Sequence, residues 1–338
     1  MNSTVHRTDR RAAQRQKWFN SPVTFHEGTL SDIRRHIPDF ERRSFALTQP
    51  GNESSRINEH LDTIVRKPFG QDQNFIPVGV VSKEYTFAPH TDVLDVVSKA
   101  LESIESAEVL PGALWTEVTL TEYGERMELS IYLPKEYSFD PGDGHRLYLR
   151  FECFNSVDGS TRFRALMGWF RFVCSNGLII GVTQTDIRRR HVGDIQLADV
   201  GKVLIAGIEK SEKEKDNFAK WRKHAIKPHQ LTAWIAGDLR KGWGFKAAAR
   251  AYRICTTGHD ADVLGPYKDN TPLTVPVKLT DPVPGAPINS RNLYDVSQVL
   301  AWLAKERRDV QEQLEWREQI PELLKPLLPD CGSANNHV

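Results

Sequence analysis

The residues best suited to do chemistry in this chain are its arginines. Residues 144–192 carry eight of them, no lysine and only three acids, Glu152, Asp158 and Asp186. A guanidinium presents a planar fork of donors that grips phosphate and stacks on a base, which an ammonium does less well. A second basic stretch, residues 217–253, holds nine Lys and Arg against the single acid Asp238. It is interleaved with Phe218, Trp221, Trp234, Trp243, Phe245 and Tyr252. Cations that follow a sugar-phosphate backbone, alternating with rings on which bases stack, are what binding to single-stranded nucleic acid requires. Each stretch also has a plainer alternative, in which the rings pack a core and the charges coat a solvated face.

Signatures of enzymes are sparse. The chain contains no GxGxxG after a strand, no GxxxxGK[ST], no GxSxG and no HExxH. His259, Asp260 and Asp262 bring one imidazole and two carboxylates together, a set that can hold a metal for nuclease chemistry. The alternative is a polar loop following the helix stop at Gly258. Cys174 lies near Arg171 and is either an activated thiolate or a small buried residue. The four cysteines, Cys153, Cys174, Cys255 and Cys331, form no CxxC pair, which argues against a zinc site and against a disulfide scaffold. No cofactor and no metal are expected, and the balance of signals leans away from an enzyme.

The elements that must carry these residues read as follows. Residues 1–20 form a polar, basic arm, and 48–60 read as a loop because of their Pro-Gly and Asn/Ser content. Residues 76–87 are extended. A helix from Thr91 or Asp92 places Val93, Leu94, Val97, Ala100, Leu101 and Ile104 on one stripe. Two alternating runs, Leu114 to Leu120 and Met127 to Leu133, predict a β-hairpin around Tyr123-Gly124-Glu125. A second hairpin puts Leu147, Leu149, Phe151 and Cys153 on one face and Tyr148, Arg150, Glu152 and Phe154 on the other. A Val157-Asp158-Gly159 turn, with Gly159 left-handed, aligns Phe163, Ala165 and Met167 with the apolar face and Arg162 and Arg164 with the basic one. The basic face is expected to be exposed. Helical periodicity follows over 194–223 and 245–256, then six prolines in 259–290 predict an irregular connection. A last helix runs from Asn292 towards Ile320 with an acidic outer face.

The chain has 338 residues, 39% hydrophobic and 26% charged, which is the composition of a globular protein. With 45 Lys and Arg against 44 Asp and Glu, its formal net charge is +1, so any affinity for nucleic acid must come from local patches. No apolar stretch is long enough to cross a bilayer and the basic N-terminus has no apolar h-region, so no membrane association is expected and a cytoplasmic location is.

Three segments within 145–193 resemble an uncharacterised family of mobile elements, the phage/plasmid-like proteins. They are Asn155-Ser-Val-Asp-Gly-Ser160, a core reading FRxxCxNGL (Phe170, Arg171, Cys174, Asn176, Gly177, Leu178) and His191-Val-Gly193. The resemblance covers roughly residues 80–225 and brings no catalytic residues with it. The order of elements is also similar to the core of phage single-strand annealing proteins, which implies a homo-oligomer holding DNA in a basic groove beside a hairpin.

These readings combine into an α+β fold of antiparallel hairpins packed on helices, with a core domain over 21–225 and a mainly helical region over 226–330. The expected function is that of a non-enzymatic nucleic-acid-binding protein of a mobile element, preferring single-stranded DNA and acting in annealing or DNA maintenance. Its expected contacts are Tyr148, Arg150, Phe154, Arg162, Arg164, Arg171, Arg188, Arg189, Arg190, His191, Lys241, Trp243, Lys246 and Arg250. The alternative is a protein-binding anti-defence or regulatory module, and the third reading is a metal-dependent nuclease.

Overall fold

The computed structural model describes residues 21–48, 55–102, 114–171, 178–182, 187–189, 198–268, 270–307 and 309–328. The chain divides into two compact units. Unit 1 comprises residues 1–138, 148–168 and 182–211; unit 2 comprises 139–147, 169–181 and 212–338. Antiparallel sheets and helices occur together and the C-terminal part is mostly helical, so the fold is α+β.

The N-terminal strands and first helices are β1 (Val23–Thr29), α1 (Leu30–Arg34), β2 (Phe40–Thr48), β3 (Ser55–Arg66), β4 (Ile76–Ser82) and α2 (His90–Glu102). They are followed by β5 (Trp115–Thr121), β6 (Arg126–Tyr132), the short β7 (Ser138–Phe139), β8 (Leu147–Ser156), β9 (Phe163–Arg171), β10 (Leu178–Val182) and β11 (Ile187–Arg189). The main sheet of unit 1 runs β1-β5-β6-β8-β9, with β11 laid antiparallel on β9 so that Arg188 stands opposite Arg164. Register fixes its two faces. Val118, Leu129 and Cys153 align across β5, β6 and β8, as do Ile131 and Phe151, and all are buried. On the reverse face Glu117, Ser130 and Glu152 align, and so do Tyr132 and Arg150.

Helix α2 forms where the spacing predicts it, burying Val93, Leu94, Val97, Ala100 and Leu101. Its first residue, His90, is anchored at both ring nitrogens: Nε2 lies 2.9 Å from the Gly124 carbonyl and Nδ1 lies 2.9 Å from Nδ2 of Asn155. Within unit 1 the long α3 (Ala198–Lys223) packs closely at Gly207, where a Cβ would fall 2.6 Å from Cβ of Met167.

A second sheet, β2-β3-β4, was not expected from sequence, and its strand β3 starts inside the stretch read as a loop. Its core is Phe40, Ile64, Val81, Tyr85 and Val157. The connection between β8 and β9 runs over residues 157–162, twice the three residues expected, and within it Gly159 has the anticipated left-handed φ of 77°. The turn sits on β4: a Cβ at Gly79 would come within 2.8 Å of the Asp158 backbone, and Tyr85 donates its hydroxyl to the Ser156 carbonyl at 2.9 Å.

Unit 2 contains α4 (Pro228–Trp234), a π-helical turn over Ile235–Leu239, α5 (Arg240–Thr257), β12 (His259–Asp262), β13 (Lys278–Pro282), α6 (Leu293–Lys305) and α7 (Val310–Leu324). Helix α5 ends on Gly258 at φ 75°, the left-handed cap anticipated from the sequence. Two expectations need correction. The proline-containing segment is not wholly irregular, because β12 and β13 pair within it. The last helix is two helices, since Asp309 caps a new start by accepting the Glu312 N–H. Among the described residues no helix is long and apolar enough to cross a membrane.

Candidate functional site

The hairpin arginines are not where the alternation of the sequence put them. Arg150 is 4% exposed and Arg164 only 1%, and Phe154 is buried as well. The face they occupy is covered, so a guanidinium there needs partners inside the protein. Arg150 finds them: Nη2 pairs with Glu152, and Nη1 donates to the Tyr132 hydroxyl at 3.1 Å. Tyr132 in turn donates to Glu117 Oε2 at 3.0 Å. Burial alone pulls the Arg150 pKa down, but the Glu152, Tyr132 and Glu117 charges and bonds outweigh it and hold the group firmly cationic. An exposed face carrying Arg150 and Arg164 is therefore ruled out, and of this set only Arg162 is exposed while Tyr148 is half-buried. Arg188 and Arg189 lie on β11, described by its backbone, and Arg190 and His191 fall outside the described residues.

The second basic stretch resolves in the same direction. Trp243 is buried, stacked on Trp316 with centroids 4.2 Å apart, and donates Nε1 to Gln319. Trp234 is buried too and donates to the Leu323 carbonyl. These rings are core, unavailable for bases. Arg250 is half-buried, clamped on Asp260 with Nε at 2.8 Å, and Trp302 Nε1 holds the same carboxylate at 2.8 Å. Asp260 is thereby a structural anchor, and His259 turns its Nδ1 to the Thr280 carbonyl. No group of three or more His, Cys, Asp or Glu that could hold a metal occurs among the described residues. Lys241 and Lys246 remain exposed.

One candidate contact leads elsewhere. Arg171 is 3% exposed, closes one end of β9 and forms the wall of a cavity of about 470 Å³ in unit 2. Its neighbours come from three parts of the chain: Asp143 and His145, Arg222 near the end of α3, and the approach to and first turns of α6. Asn292 caps α6 by accepting the Asp295 N–H at 2.8 Å. Asn289, in the left-handed region at φ 58°, turns the chain so that the Arg291 N–H reaches Asp295 Oδ2 at 3.1 Å.

Three guanidiniums, Arg171, Arg222 and Arg291, thus face two carboxylates. Arg171 pairs with Asp143 at 2.5 Å, and Arg222 stands 3.7 Å from Asp295. Arg291 has an exposed position at the mouth. Among the described residues, three buried polar atoms of the lining side chains have no hydrogen-bond partner, namely Arg171 Nε, Tyr294 Oη and Gln298 Oε1. Burial pushes the Tyr294 phenol well above its ordinary value, so the hydroxyl keeps its proton and can donate. Native interiors seldom leave such atoms unpaired, and an acceptor entering the cavity would satisfy two of the three. The excess positive charge and the N-terminus of α6 both favour an anion there.

Residues 77–271 match the model of a family described as a domain of unknown function, DUF932, which is more than half of the chain. The chain belongs to the DUF932 family. The DUF932 span contains Asp143, His145, Arg171 and Arg222, while Arg291, Tyr294 and Gln298 lie beyond it. Over 64 residues the chain is 34% identical to the UPF0380 protein YfjQ of Escherichia coli strain K12, covering 18% of this chain and 23% of that relative. The match thus spans about a quarter of the length of the curated relative. No solved structure matches.

Sequence reasoning selected Arg171 but missed Asp143, His145, Arg222, Arg291, Tyr294 and Gln298 as its companions. Arg222 stood inside the basic stretch, and Asn292 before an apolar run is a recognisable helix start. Nothing in a single sequence brings residues 143, 222 and 294 together.

Proposed function

We propose that the protein is a non-enzymatic nucleic-acid-binding protein, serving a mobile genetic element in single-strand annealing or DNA maintenance, as a cytoplasmic homo-oligomer. The observation that carries this reading is the cavity in which Arg171, Arg222 and Arg291 outnumber two carboxylates beside an unpartnered Tyr294 hydroxyl. The unpaired thiols of Cys153 and Cys255 fit a reducing compartment. Because Trp234 and Trp243 are core, binding rests on phosphate and not on base stacking, which implies little sequence preference and a strong dependence on salt.

The test is fluorescence anisotropy with a labelled single-stranded oligonucleotide at several salt concentrations. Joint replacement of Arg222 and Arg291 by alanine should weaken binding and flatten the salt slope by about two phosphate contacts. Absence of any shift at low salt would refute the reading. The result would then favour a protein partner, for which the small sheet offers exposed Leu47, Ile57 and Val80.

A further inference from the structure

The cavity has a floor and a rim that make different demands on a ligand. Tyr294, Gln298 and Arg171 are each at least 95% buried, whereas Arg291 and Asn289 are exposed at the mouth. A phosphate at the end of a strand brings less bulk past the rim to these buried side chains than one flanked on both sides. An internal phosphodiester carries a sugar on both sides and a single negative charge. A phosphate monoester carries a sugar on one side only and close to two negative charges at neutral pH. His145 and Tyr294 line the cavity together with three guanidiniums, Arg171, Arg222 and Arg291, and two carboxylates, Asp143 and Asp295, whose charges sum to +1. Coulomb attraction to that surplus grows with the ligand's charge, so a dianion is held more strongly than a monoanion.

We infer that this cavity binds a terminal phosphate monoester: the phosphorylated end of a nucleic-acid strand, or the same group on a free mononucleotide. The inference rests on the phosphate-capture reading above and narrows it. Arg171 Nε and the Tyr294 hydroxyl donate to the terminal phosphoryl oxygens, and Arg222 and Arg291 close over them from the rim. The volume of about 470 Å³ lies in the range of sites for one small molecule, not of a channel for a continuous strand.

The experiment compares one oligonucleotide in three forms, with a 5′-phosphate, with a 3′-phosphate and with hydroxyls at both ends, and uses a nucleoside monophosphate as competitor. One phosphorylated form should bind about tenfold more tightly than the hydroxyl form, as an added charge-assisted hydrogen bond would give. Tyr294→Phe should erase that advantage and leave the thermal midpoint of the free protein unchanged or raised, because the hydroxyl it removes has no partner. If the monophosphate displaces the phosphorylated end at comparable concentration, the free nucleotide shares the site; if it does not, the strand end is the ligand. Equal binding of all three oligonucleotides, with Arg222 and Arg291 still required, overturns end recognition and leaves phosphate capture standing. Failure of every oligonucleotide and of the monophosphate to bind overturns both.

Discussion

Replacing Arg150 by methionine separates a structural guanidinium from a functional one. Arg150 is buried on the sheet and linked to Glu152, Tyr132 and Glu117. Methionine fills most of the volume but takes the guanidinium away from Glu152, a carboxylate about 98% buried. Breaking a buried pair by removing one partner costs about 3–5 kcal/mol, since a carboxylate must be left unpaired or take up a proton. At ~2–4 °C per kcal/mol for a unit of this size, the thermal midpoint should fall by about 6–20 °C. Adding Glu152→Leu to Arg150→Met should recover much of the loss, because a well-packed apolar pair can match a buried ion pair. Calorimetry or circular dichroism melts of the wild type, both single variants and the double variant complete the cycle. An unchanged midpoint for Arg150→Met together with weaker binding to nucleic acid would show that the guanidinium faces solvent, and the register argument would fail.

Gly79→Ala should destabilise by about 1–3 kcal/mol in a urea titration, because its Cβ would meet the Asp158 backbone at 2.8 Å. Gly237→Ala, with nothing within 4 Å, is the control and should be neutral or slightly stabilising. The stacked rings of His26 and His36, 3.9 Å apart, give a pH dependence. Burial, with a smaller contribution from His36, holds the His26 pKa below its unfolded value of 6.5, so the unfolded chain takes up the proton first. Stability is then undiminished above that value and declines as pH falls below it. Melts at about pH 7.5 and about pH 5.5 should show a difference that His26→Gln reduces, and an identical difference in the variant would refute the assignment.

Periodicity made several elements legible. Helix α2, the β5–β6 and β8–β9 pairs, the left-handed Gly159 and the Gly258 stop all follow from local pattern and local chemistry. The burial of the basic face did not, because alternation shows which residues share a face and says nothing of whether that face is covered. Arg150 and Glu152 sit two apart on one strand, the spacing of a buried pair as much as of a solvated one. The β2-β3-β4 sheet was hidden by its turn-forming residues and by a distal half that is mostly exposed, so it lacks a clean apolar alternation. The cavity was hidden for a different reason. Its walls come from four separate segments, at 143–145, 171, 222 and 285–298, so no local window contains them all.

The interleaving of the two units has a consequence for how the protein is made. The chain passes between them at 138/139, 147/148, 168/169, 181/182 and 211/212. During synthesis unit 1 cannot close until residue 211 has left the ribosome, and by then two segments of unit 2 are already committed. Helix α6 is the last of the cavity's walls to be made. Vectorial folding in the usual order, first domain and then second, is therefore not open to this chain. Neither unit is a contiguous fragment that can be expressed alone, and a break in the 139–147 or 169–181 segments interrupts both units at once. A site assembled from Asp143, Arg171, Arg222 and Tyr294 exists only in a chain whose synthesis has gone past all four, which ties the birth of the cavity to the completion of the protein.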